Sequence, residues 1–224
     1  MKKTEKLYND LISMPYFRNY QAVSGNVHNI SKHEDAVEQV LLNSNLEKKS
    51  FKALTESLGF DTRREFRDFL QEGYFHEKVP DNTFYYQPTG ENDSPDFIFK
   101  VDNKVFLLEC KSGKNNKPMF NSGLPKKGYI YLFCSEKSNQ STMFLGEDIV
   151  NDLQREIIEE YNKAQKQIVE ELNRKLAEND AQKRGIIYYE RNMWNQAGGK
   201  EKADYFTHES RAQCEQNVKS LFLR

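Results

Sequence analysis

The chain has 224 residues, of which 37% are hydrophobic, 12% aromatic and 30% charged, with a formal net charge of −1. That length corresponds to one domain, and fifteen Phe and twelve Tyr supply enough apolar surface for a core, which excludes global disorder. No apolar run approaches the ~20 residues of a membrane span, and a near-neutral balance excludes coating nucleic acid by bulk positive charge.

The opening M-K-K-T-E-K-L-Y-N-D-L has no apolar stretch of the kind a secretory signal carries. Cys110, Cys134 and Cys214 lie far apart, without a C-x-x-C or a nearby His pair, so neither a disulfide framework nor a zinc cage is expected. A reducing cytoplasm fits. With no internal repeat and no low-complexity linker, residues 1–224 read as a single domain.

Taken in chain order, residues 1–78 read as mostly helical. Ser31 followed by Glu34 just before Ala36, Val37, Val40 and Leu41 has the spacing of a capping box. Phe51, Leu54 and Leu58, then Phe66, Phe69 and Leu70, continue the helical spacing with a break near Gly59. Residues 79–135 change character, with the short β-rich runs T-F-Y-Y-Q, D-F-I-F-K-V, K-V-F-L-L-E-C-K and Y-I-Y-L-F-C. Over 146–180, Ile149, Leu153, Ile157, Tyr161, Ala164, Ile168, Leu172 and Leu176 recur every three or four residues. This spacing predicts an amphipathic helix roughly 45 Å long. A last strand, G-I-I-Y-Y-E, and a helix from about 209 to 223 close the chain. Helices flanking a mixed central sheet make an α/β fold.

The informative stretch is S-P-D-F-I-F-K-V-D-N-K-V-F-L-L-E-C-K. Two apolar runs flank Asp102-Asn103, which suits a two-residue hairpin turn. Pairing Val101 with Lys104 sets Phe99 against Phe106, Ile98 against Leu107 and Asp96 against Glu109. The period of two then puts Lys111 on the face of Glu109. Opposed carboxylates about 5 Å apart destabilise a sheet, and a divalent cation gives them a reason, since Mg²⁺ is held by one or two carboxylates with water and substrate phosphate. The adjacent lysine can neutralise charge developing on a phosphate or help deprotonate a water. These are parts for phosphodiester hydrolysis.

Pro95-Asp96 and, after twelve intervening residues, Glu109-Cys110-Lys111 resemble the PD-(D/E)xK nuclease signature. The lead-in Q-P-T-G-E-N-D-S-P-D and the following K-P-M-F-N-S-G-L-P are similar to segments of type II restriction endonucleases, over about residues 84–135. The resemblance implies a restriction-endonuclease-like fold and Mg²⁺-dependent cleavage of double-stranded DNA to 5′-phosphate ends. It makes Asp96 and Glu109 metal ligands, with the Cys110 backbone carbonyl as a third, and Lys111 the residue that orients or activates water. Many members add an upstream acid, for which Glu34, and after it Glu38, are candidates. A bacterial or phage-encoded cytoplasmic enzyme paired with a DNA methyltransferase follows from the same likeness. A structure-specific repair, recombination or phage nuclease, or an inactive DNA-binding protein, are the rival readings. No GIY-YIG spacing, HNH ligand set, P-loop or dinucleotide fingerprint is present.

For DNA contact, Lys104, Lys111, Lys114, Lys117, Lys126 and Lys127 crowd a segment whose only acid is Glu109. Arg63, Arg64 and Arg67 alternate with Glu65 and Asp68 and read as a salt-bridged surface. Asn121 and Ser122, and the Arg191, Asn192, Asn195 and Gln196 that surround Trp194, are candidates for base reading, although Trp194 is equally suited to plugging the core. The long helix either packs on the sheet or forms a two-fold contact, and a homodimer is expected.

Overall fold

The computed structural model describes residues 2–16, 33–50, 52, 55, 58–60, 62, 65, 66, 69, 70, 79–90, 93–121, 123–190, 193, 194 and 203–224. Its elements run α1 (Lys3–Ile12), α2 (His33–Asn43), β1 (Glu47–Lys49), β2 (Thr83–Tyr86), β3 (Phe97–Val101), β4 (Lys104–Gly113), β5 (Ile130–Ser135), β6 (Gln140–Leu145), α3 (Gly146–Ile149), α4 (Asp152–Glu178) and α5 (Arg211–Leu223). The strands form one six-stranded sheet in sequential order. Pairs β1–β2 and β4–β5 are parallel and the other three antiparallel, so the protein is an α/β fold with a mixed sheet.

The central hairpin has the register expected from its sequence, Val101 opposite Lys104, Phe99 opposite Phe106 and Ile98 opposite Leu107. Its turn takes φ of 50° at Asp102 and 62° at Asn103. Two positive φ angles are what a type I′ turn demands, and Asn and Asp tolerate them better than other side-chain-bearing residues. All five β3 residues are buried, because both faces of the sheet are covered. One face packs Phe97, Phe99, Phe106, Leu108 and Leu132 under α1, α2 and α5. The other carries Tyr131, Phe133 and Phe144 under Phe120 and Tyr205, with Ile98 and Tyr85 under Phe66 and Leu70.

Phe222 of α5 stacks on Phe106 at 4.4 Å between ring centroids and is fully buried. Phe222→Ala will cost about 3–5 kcal/mol, the usual range for a deleted core phenylalanine. Urea denaturation followed by circular dichroism measures it.

Four sequence expectations change. Glu47-Lys48-Lys49 is a strand inside the region read as helical, held by parallel backbone pairing at the sheet edge rather than by any apolar pattern. Gln140–Leu145 is a sixth strand whose polar first half, Q-S-T, concealed it. The long helix is interrupted at 150–151, where the Asn151 side chain accepts a hydrogen bond from the Gln154 N–H (2.8 Å) and Gln154 Oε1 accepts one from the Asn151 N–H (3.1 Å). That capping box starts α4 afresh. G-I-I-Y-Y-E is not a strand: residues 183–190 form no ladder, because α4 carries them away from the sheet. Asn173 of α4 instead clamps Tyr188, donating to its carbonyl at 2.9 Å and accepting from its N–H at 2.7 Å. The capping serine Ser31 and the Arg63, Arg64 and Arg67 patch lie outside the described residues. No helix among the described residues is long and apolar enough to cross a membrane.

Candidate active site

Two adjacent strands end at different heights, and that offset builds the site. β3 begins at Phe97, opposite Leu108, while β4 runs on to Gly113. The overhanging part of β4, Glu109-Cys110-Lys111, therefore has no ladder partner on the β3 side. Asp96, one residue before β3, fills the gap: its Oδ2 accepts a hydrogen bond from the Cys110 N–H at 2.7 Å. The N–H and C=O of one strand residue point to the same edge, so the Cys110 carbonyl opens toward Asp96 as well.

Glu109 and Lys111 share a face. Lys111 Nζ donates to Glu109 Oε1 at 2.6 Å, with 6% of the Glu109 side chain and 13% of the Lys111 side chain accessible. Among the described residues the other carboxylate oxygen, Glu109 Oε2, is buried without a partner at hydrogen-bonding geometry, although the Asp96 backbone N–H also pulls on this carboxylate. An unsatisfied buried acceptor costs about 1–3 kcal/mol, and more for a charged group. Burial, then the neighbouring Glu109, pushes the Asp96 carboxyl up to about 8, against the lowering pull of the Cys110 N–H and Lys111. Burial also raises Glu109, opposed first by Lys111. Both acids are thus held at a cost that an added positive charge would relieve.

Asp96, Glu109, Cys110 and Lys111 open into a cavity of about 530 Å³. Glu34, Lys114, Lys117 and Asn121, each singled out from the sequence, line the same cavity. Glu34 stands in the first turn of α2 and raises Asp96 further. Glu38 is employed elsewhere, with Lys48 Nζ 2.8 Å from both of its oxygens. Lys114, Lys117 and Asn121 belong to the crossover from β4 to β5, the kind of long connection a parallel pair requires. Lys126 reaches the site from its other side: its Nζ donates to the Ser94 carbonyl at 3.4 Å and its charge acts on Glu109. Lys127 does not join them. It faces α4, 3.0 Å from Asp152 Oδ1, since the backbone turns at Gly128 with φ of 76°.

Ser122, Arg191, Asn192, Asn195 and Gln196 lie outside the described residues. Trp194 is described, and it packs partly buried against the Phe120 and Tyr131 cluster, its backbone exchanging two hydrogen bonds with Phe120 at 2.8 and 2.9 Å. It therefore plugs the core.

Sequence reading missed Asp93, which lines the cavity, and Tyr86, whose phenol is pushed up to about 12 by burial and then by Glu34 and Asp96. Tyr86 was within reach: continuing the antiparallel alternation from β3 into T-F-Y-Y sets it beside Phe97, next to Asp96. Tyr131 was not, because its place opposite Glu109 comes from the parallel β4–β5 register, which no turn in the sequence specifies.

The donor set fits a divalent cation. Among the described residues no three His, Cys, Asp or Glu side chains form a cage, so an ion here would rest on two carboxylates, the Cys110 carbonyl, water and ligand oxygens. That is the coordination habit of Mg²⁺. Comparison with protein-family models, with curated proteins and with solved structures returned no match.

Proposed function

We propose that this cavity hydrolyses phosphodiesters of double-stranded DNA, as a Mg²⁺-dependent endonuclease with a PD-(D/E)xK site and a restriction-endonuclease-like sheet. The observation that carries the proposal is the convergence of Asp96, Glu109 and Lys111 on one lysine-rimmed cavity, with Glu109 Oε2 buried and without a hydrogen-bond partner among the described residues. Asp96, Glu109 and the Cys110 carbonyl would hold a Mg²⁺ ion, which would supply charge stabilisation at the phosphate and polarisation of the attacking water.

The chain's own residues do the rest. Lys111, anchored by Glu109, offers its remaining ammonium hydrogens to the water and to a phosphate oxygen, which orients the one against the other. Lys114 and Lys117 draw the flanking phosphates into the cavity mouth, which positions the duplex without reading it. Asn121, beside them, presents the paired donor and acceptor that base edges require. Glu34 adds negative charge behind Asp96 and strengthens cation binding. A nuclease of this kind acting at a short specific sequence in a bacterial or phage-infected cytoplasm works with a DNA methyltransferase that protects the host's own sites.

Unmethylated phage DNA incubated with the protein and Mg²⁺ will yield discrete fragments with 5′-phosphate ends, and EDTA will abolish them. A smear, or cutting only at branches, means a structure-specific nuclease of the same site. DNA that is retarded but uncut in Mg²⁺ rejects the enzyme.

A further inference from the structure

α4 is an unusual element: 27 residues, about 40 Å long, with no buried residue. Among the described residues its base is held through Asp152 to Lys127 and through Arg155, which donates to the Pro125 carbonyl at 2.7 Å, and Asn173 near its far end holds the 183–190 segment. Yet the helix is amphipathic. Leu153, Ile157, Tyr161, Ile168 and Leu172 are between 41% and 69% exposed, and Ala164 is exposed among them. At 100° per residue these six side chains form one stripe. Asn173, which holds the 183–190 segment, sits on the opposite side of the helix, so that segment does not cover the stripe.

The stripe is symmetric along its own sequence. The spacing 153, 157, 161, 164, 168, 172 reads the same in both directions about a point between Asn162 and Lys163. Laid antiparallel on a second copy, Leu153 meets Leu172, Ile157 meets Ile168, and the large Tyr161 meets the small Ala164. A two-fold contact requires this reciprocity, residue i on j and j on i, whereas an unrelated partner requires none.

We infer that α4 is a dimerisation arm, whose exposed stripe closes antiparallel on the α4 of a second copy of this chain. The inference stands on the helix and does not depend on the reading of the cavity. Its consequence for that reading is two cavities in one symmetric assembly.

Sedimentation equilibrium of the full chain will give twice the 26.4 kDa chain mass. The Ile157→Glu/Ile168→Glu variant will sediment as a monomer at the same concentration, with its thermal unfolding midpoint retained because neither side chain reaches the core. The orientation is read separately by oxidation in a Cys214→Ser background, since Cys110 and Cys134 are buried. Ile157→Cys and Ile168→Cys proteins will cross-link when mixed, and neither will cross-link alone. A monomeric wild-type chain overturns the inference. So do a dimer unaffected by the two glutamates and a dimer in which position 157 couples to itself.

Discussion

If the chain is the proposed endonuclease, Lys111→Ala will lower the rate of DNA cleavage by about 10²–10⁴-fold, the range for removing a positioned proton-transfer or charge-stabilising group, while binding in Ca²⁺ or EDTA changes less than about 10-fold. The separation follows from geometry. The Lys111 side chain is mostly buried and committed to Glu109 at 2.6 Å, so under the proposed function its ammonium would act at the reacting centre rather than on distant phosphates. Lys114 and Lys117, on the cavity rim, should behave the other way, weakening binding and flattening its salt dependence. Lys111→Arg keeps the charge, but a planar guanidinium does not reproduce a compact ammonium seated against one carboxylate oxygen. It should rescue less than about a tenth of the lost rate. Single-turnover cleavage beside a filter-binding titration measures both quantities. Cleavage by Lys111→Ala at near the wild-type rate would remove the lysine from the chemistry.

The second large effect is on stability. Asp96 ionises near its ordinary value of 3.8 in the unfolded chain and at about 8 in the folded one. Between those values the folded state keeps a proton that the unfolded state has released, so stability in EDTA falls as pH rises through that window and levels off above it. The slope is up to roughly 1.4 kcal/mol per pH unit for one proton. Glu109, also raised, contributes with the same sign. Mg²⁺ competes with these protons, and its stabilisation of the fold should therefore grow from pH 5 to pH 8.5. Asp96→Asn keeps an acceptor for the Cys110 N–H and removes one of the two buried acids. It should raise the unfolding temperature in EDTA at pH 8, reduce the pH slope, abolish the Mg²⁺-induced rise and abolish cleavage. Thermal unfolding across pH, with and without Mg²⁺, reads these changes. An unchanged slope in Asp96→Asn would mean that the strain at the site lies elsewhere.

Local patterning made the hairpin that carries the candidate site legible. A two-residue turn and strict alternation determine which side chains oppose one another, so Asp96, Glu109 and Lys111 could be grouped before any coordinates. The same logic failed at G-I-I-Y-Y-E, where β-favouring residues had no sheet edge to join, and at Glu47-Lys48-Lys49, where an edge strand formed without an apolar pattern. β-propensity describes a residue that fits a half-buried pleated surface, and only the tertiary structure supplies that surface.

What the sequence determined by itself is short-range: the hairpin register, the length of its turn, the amphipathic stripe of α4 and the cluster of lysines after β4. Each depends on periods of two or on three to four residues, within one element or one turn. What only the tertiary structure decided is long-range: that β3 stops short and leaves Cys110 open to Asp96, that Glu34 arrives on the same cavity from more than sixty residues away, that Lys127 turns out while Lys126 turns in, and that α4 stands clear of the sheet. Those outcomes depend on the parallel β4–β5 register and on which faces of the sheet are already covered, and chain-distant packing sets both.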